Sequence, residues 1–157
     1  MLFRSVLENL PRAFENPDDL EARAHLMSAA AMGAVAFQKG LGAIHALSHP
    51  VGALYDTHHG TTNAVVMPTV LRFNEAAIAE KMGRLSAWLG LGGGFGAFYD
   101  YVMELRAALD IPETLKALGV DDRKFDLMAE MAVVDPTAGG NPVKLTVEAA
   151  RNLFQEA

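Results

Sequence analysis

Apolar residues along this chain recur at helical rather than strand spacing, and alternating strand patterns are almost absent. Residues 2–14 read as a short amphipathic segment that ends near Pro11. Asn16-Pro17-Asp18-Asp19 then carries a helix start. Asn16 suits the N-cap, Pro17 the first helical position, and the carboxylates the positive end of the helix dipole. That helix is expected to run to about Gln38, and its uncharged Ala- and Gly-rich part, Leu26 to Gln38, reads as a buried core helix. Small residues at Ala29, Ala30, Gly33, Ala34 and Ala36 would let another helix approach closely, at some cost in propensity at Gly33.

Gly40-Leu41-Gly42 breaks the chain and admits a second long pattern. Within it Pro50 lacks a backbone donor and disfavours helix at His49, so a kink is expected there. Tyr55 to Gly60 reads as a turn, followed by a helix from about Thr61 to Phe73 with Pro68 as a second expected kink. Residues 75–89 form an amphipathic helix bearing Trp88, and 97–109 form another, stopped by Ile111-Pro112. A short helix at 113–118 ends at Gly119, Asp121 or Asp122 caps 123–133, and Thr146 to Glu156 closes the chain. No internal repeat, low-complexity tract or linker divides it. The pattern predicts one all-α domain of eight or so short helices.

Composition supports that reading. At 157 residues and 51% hydrophobic content, the chain can bury a substantial core. A net charge of −6 with dispersed charges argues against a nucleic-acid partner. The absence of cysteine excludes a disulfide framework and fits a cytoplasmic location. Charges interrupt the opening Met1-Leu-Phe-Arg-Ser-Val-Leu-Glu-Asn9, so no signal peptide is read there. No stretch reaches the ~18 apolar residues of a membrane span, so no membrane partner is expected.

Four of the five histidines lie between positions 45 and 59. His45 and His49 are four apart and would share a helix face, while His59 returns across a Pro- and Gly-containing turn. Neutral imidazole is the commonest protein ligand for transition metals and titrates near neutral pH. Such a cluster can hold a metal, move a proton, do both, or serve only the fold. A complete metal site needs three or four ligands, and neither an HExxH motif nor a cysteine supplies the others.

The run Lys39-Gly-Leu-Gly-Ala-Ile-His45-Ala-Leu-Ser-His49-Pro-Val-Gly52-Ala-Leu-Tyr-Asp-Thr-His-His59-Gly-Thr-Thr-Asn-Ala-Val-Val-Met-Pro68 resembles the signature of the iron-containing (group III) alcohol dehydrogenases. That signature has the form G-x-x-H-x-x-x-H-x-x-G, then a turn, H-G, N-A and a Pro-containing helix. Weaker similarity extends over the rest of the chain, including Leu71-Arg-Phe-Asn74 and Gly139-Gly-Asn-Pro142. By this resemblance His45 and His59 bind a divalent metal, iron or zinc, and His49 is a catalytic residue implicated in proton transfer. Family members use NAD(P) and are about twice this length. They carry an N-terminal α/β domain with a GGGS phosphate loop and an Asp-x3-His pair that completes the metal site. Neither feature occurs here, and the resemblance places the Asp-x3-His pair shortly upstream of Met1. The chain is therefore expected to be the C-terminal helical domain of such an enzyme, with two of four metal ligands, acting on a small alcohol or aldehyde as a homo-oligomer, a dimer. A non-catalytic truncated or assembly fragment remains open. So does a maleylacetate-reductase-like or dehydroquinate-synthase-like chemistry on the same fold.

Three further features complete the reading. Gly92, Gly94 and Ala97 formally match G-x-G-x-x-G/A, but helices rather than a βαβ unit surround them, so a helix–helix hinge is expected. Lys39 could meet a substrate carboxylate or stand as a solvated lysine. Thr137-Ala-Gly-Gly-Asn-Pro142 is a turn by composition, and the resemblance brings it near the substrate pocket, making Thr137 and Asn141 pocket candidates. His58 is read as incidental.

Overall fold

A computed structural model describes residues 2–157. The described residues form seven α-helices joined by short 3-10 turns, with no strand among them, as the periodicity predicts. In chain order these are α1 (Leu2–Glu15), α2 (Leu20–Ala36), α3 (Ala43–Tyr55), α4 (His59–Leu89), α5 (Gly94–Ala108), α6 (Phe125–Val134) and α7 (Val147–Glu156). Helices α1 and α2 form one antiparallel pair and α4 and α5 another, while α3 lies against α4 and α6, and α7 covers α6. The core fills the space between α3, α4, α6 and α7, around the fully buried Leu47, Val51, Val66, Met128 and Phe154. No described helix is long and apolar enough to cross a membrane.

Four sequence expectations need correction. Helix α1 does not end near Pro11 but continues to Glu15, because its apolar stripe packs along α2 and outweighs one missing backbone donor. The N-cap of α2 is Asp19, not Asn16: Asp19 Oδ1 accepts from the Ala22 N–H at 2.9 Å. Asn16 instead takes the Asp18 N–H at 3.2 Å and closes a turn. The stretch from Leu26 to Gln38 is not a buried helix. Within α2 only Ala22 and Ala29 are buried, and Met27 and Val35 are 74% and 72% exposed. Its small residues admit α1 on one side, and nothing in the described chain covers the other.

The fourth correction concerns α4, which is one helix of 31 residues rather than two meeting near Asn74. Asparagine favours breaks because its side chain competes for nearby backbone groups. Here that side chain is engaged elsewhere. Asn74 Nδ2 donates to Asn141 Oδ1 at 2.9 Å, and Asn141 Nδ2 donates back to Asn74 Oδ1 at 2.8 Å. Helices α3 and α4 likewise run through Pro50 and Pro68. The glycine run 90–96 behaves as expected: Gly90 ends α4 at φ 80° and Gly93 precedes α5.

Asn141 also accepts the Ala43 N–H at 3.1 Å, the first residue of α3, and donates to the Val143 carbonyl at 2.7 Å. The backbones on either side press together. A Cβ at Gly42 would meet Asn141 Oδ1 at 3.1 Å, and one at Gly140 would fall on the Leu41 carbonyl oxygen. Between α3 and α4 the chain turns through Asp56 in the left-handed region, φ 52°. His58 then N-caps α4, its Nδ1 accepting from the Thr61 N–H at 3.3 Å. The buried Thr62 hydroxyl donates to Thr57 Oγ1 at 2.8 Å and ties the same turn.

Gly140→Ala is expected to cost ~1–3 kcal/mol, read as a lowered urea midpoint at unchanged slope. Gly139→Ala, whose Cβ would meet nothing within 4 Å, should shift stability by less than about 0.5 kcal/mol. His58→Ala should lower stability by ~1 kcal/mol through loss of the cap, measured in the same unfolding experiment.

Candidate metal centre

Helical geometry brings His45 and His49 together, one turn apart on α3, and the tied turn delivers His59 as the first residue of α4. The three rings form a triangle. Ring centres are 5.8 Å apart for His45 and His49, 5.3 Å for His45 and His59, and 5.6 Å for His49 and His59. Phe37 closes one side, its ring edge-on to His45 at 5.7 Å. The small residues Ala43 and Ala46 and the glycine-lined approach of the 139–142 turn hold α3 in place beneath them.

Two nitrogens converge. His45 Nε2 and His59 Nε2 lie 3.4 and 3.1 Å from one atom, Nδ2 of Asn63, one turn beyond His59 on α4. An amide N–H in this place would donate to the same ring lone pairs that a metal ion takes. Asn63 Oδ1 is buried without a hydrogen-bond partner. Burial lowers the His45 pKa, and the neighbouring His59 and His49 lower it further, which favours the ring form that carries the lone pair. Two imidazole nitrogens close to one point are the donor chemistry a borderline divalent cation takes. They make up half of a coordination shell. Among the described residues, no three His, Asp or Glu side chains gather in a geometry that would hold a metal ion.

His49 is bound differently. Its Nδ1 lies 2.8 Å from Oδ2 of Asp135, the residue that ends α6. Asp135 Oδ1 accepts both the Thr137 N–H at 2.8 Å and the Thr137 hydroxyl at 2.5 Å. Burial alone would raise the Asp135 pKa, but the hydrogen bonds from Thr137 and His49 reverse this and hold the carboxyl below its ordinary value.

The other sequence candidates lie around this triangle. Thr137 is at its edge, through Asp135. The four polar contacts of the Asn141 side chain are all to the protein itself. Lys39 is exposed, in the 3-10 turn that follows α2 and contains Phe37. Sequence reading passed over Asn63 and Asp135. The signals were present, in an Asn four residues after His59 on the same helix and in the Asp-Pro-Thr of a tight turn.

Known proteins share this arrangement of helices. The chain is 37% identical over 158 residues to a 4-hydroxybutyrate dehydrogenase from Cupriavidus necator, covering 95% of this chain and 41% of that protein. The crystal structure of a 1,3-propanediol oxidoreductase superposes with a TM-score of 0.93 at 32% identity, over 99% of this chain and 43% of that one. A maleylacetate reductase from a Rhizobium species superposes with a TM-score of 0.75 at 33% identity, over 99% of this chain and 43% of that one. The chain thus spans about two-fifths of the length of these relatives. Residues 2–157 match the family described as Fe-containing alcohol dehydrogenase family, C-terminal, and the chain belongs to that family.

Proposed function

We propose that this chain is the metal-binding helical part of an NAD(P)-dependent alcohol dehydrogenase acting on a small alcohol or aldehyde. The convergence of His45 Nε2 and His59 Nε2 on one point carries the reading. His45 and His59 would hold the metal, with the other ligands and the nucleotide site supplied by a preceding domain. The apolar row of α2 supports such a domain: Leu20, Met27 and Val35 are 79%, 74% and 72% exposed. A contiguous apolar surface of this kind calls for cover.

A divalent iron or zinc bound there supplies Lewis acidity toward an alcohol oxygen, and a nicotinamide supplies the hydride acceptor. The residues of this chain do the rest of their work by position. Burial, which lowers the His45 pKa, favours the ring form whose lone pair a metal takes. His49, whose side chain is 40% exposed, stands beside both ligands and passes the alcohol's proton toward solvent. Phe37 packs edge-on against the His45 ring. The chain provides one wall of the cleft, and hydride transfer needs the cofactor held at near-attack distance by the other.

A maleylacetate-reductase-like chemistry is the alternative enzyme on this fold. The His49-Pro50-Val51-Gly52 and Thr57-His58-His59-Gly60 residues favour the alcohol dehydrogenase reading.

Zn2+ titrated calorimetrically into the 157-residue chain should bind weakly. His45→Ala or His59→Ala should abolish that binding, and His58→Ala should leave it unchanged. In a polypeptide that adds the nucleotide-binding half, alcohol oxidation with NAD(P)+ is expected. There His49→Ala should lower turnover at full metal content, whereas His45→Ala or His59→Ala should lose metal and activity together. Greater damage from His58→Ala than from His45→Ala would overturn the ligand assignment.

A further inference from the structure

His49 can relay a proton only if one ring nitrogen carries a lone pair toward the reacting group while the other is tied. In neutral imidazole either nitrogen can hold the proton, and the hydrogen-bond partners decide which. Here one partner is fixed. Asp135 is only 14% exposed in its side chain, and its two oxygens have separate duties. Oδ1 takes two donors from Thr137, and Oδ2 faces His49 Nδ1 at 2.8 Å. An ionised carboxylate accepts only, so Nδ1 must carry the proton.

We propose that Asp135, itself oriented by Thr137, is a positioning residue that locks His49 in the Nδ1–H tautomer. Nε2 of His49 is then the unprotonated nitrogen, directed away from Asp135. The inference rests on reading His49 as the proton relay. It adds the device that sets which nitrogen does the relaying. It also gives Thr137 a role that needs no direct substrate contact: without its two donors the Asp135 carboxylate could rotate and release the ring.

Asp135→Asn tests the lock by reversing it with almost no change of shape. The Thr137 donors hold the Asn carbonyl oxygen in the Oδ1 place, which leaves its NH2 facing His49. An amide NH2 donates, so His49 Nδ1 must become the acceptor and the proton moves to Nε2. Long-range 1H–15N correlation spectra of the metal-free 157-residue chain read this directly, at a pH of about 9 where an ordinary histidine is neutral. His49→Gln identifies the His49 signals. The wild type should show a pyrrole-type Nδ1 and a pyridine-type Nε2 at His49, and Asp135→Asn should exchange them. Asp135→Glu, which keeps an acceptor, should keep the wild-type tautomer.

An Nε2–H tautomer in the wild type, or a tautomer that Asp135→Asn leaves unchanged in a folded chain, overturns the proposal. If Asp135→Asn does not fold, Thr137→Ala replaces it: a mixture of tautomers supports the lock, and an unaltered pure tautomer overturns it. In the longer enzyme Asp135→Asn should lower kcat about 100-fold or more, as expected when an active-site histidine is held in the wrong tautomer, with metal content and KM held. An exchanged tautomer with unchanged kcat would refute His49 as the relay while leaving the lock standing, so the two readings fail separately.

Discussion

The amide of Asn141 ties together three segments that are remote in sequence. It takes the first N–H of α3 from Ala43, exchanges two hydrogen bonds with Asn74 in the middle of α4, and holds its own turn through Val143. An amide has just enough donors and acceptors for this, and here they are all used. Removing it would strand partly buried groups on two helices, at ~1–3 kcal/mol for each group left without a partner. The glycines at 42 and 140 let the flanking backbones approach closely enough for it to reach. The start of α3, the continuity of α4 and the position of the 135–142 turn follow from this one side chain. So does the histidine triangle, whose members sit on α3 and α4 and whose anchor Asp135 sits in that turn.

Much of this was legible in the sequence, for reasons that differ by feature. The helices were visible because their apolar spacing and end signals are local: Thr146 caps α7, Gly119 ends its 3-10 turn, and the glycine run joins two helices. The three histidines were visible because four residues is one helical turn and the next element begins at a turn. What failed was non-local. Asn74 reads as a break until its partner 67 residues away is known. The burial of α2 was misjudged because an uncharged, Ala-rich run says only that another surface would suit it, not that this chain supplies one.

Asp135 and Asn63 show the same limit within the site. Each reads locally as an ordinary turn or helix residue, and each gains its meaning from a histidine that tertiary packing brings to it. The environments then separate the histidines by their partners. His45 and His59 turn their Nε2 atoms inward to a shared point, whereas His49 is held from behind by a carboxylate. Similar residue types with different partners acquire different chemistry, which spacing alone does not resolve.

The Asn141 tie closes a span of 98 residues to Ala43. During vectorial synthesis on the ribosome, α3 and α4 emerge and can form long before their tie is translated. The placement of the 135–142 turn against both helices, and of Asp135 beside His49, is therefore completed only after residue 141 has cleared the exit tunnel. Closing so long a loop carries a large entropic cost, but that cost grows only logarithmically with length, so most of it would remain in a much shorter loop. A nascent chain halted before that point would hold His45, His49 and His59 on α3 and α4 without the Asn141 tie that joins the two helices to the last third of the chain. The surroundings of the histidine triangle would then be completed late, as a property of the finished fold.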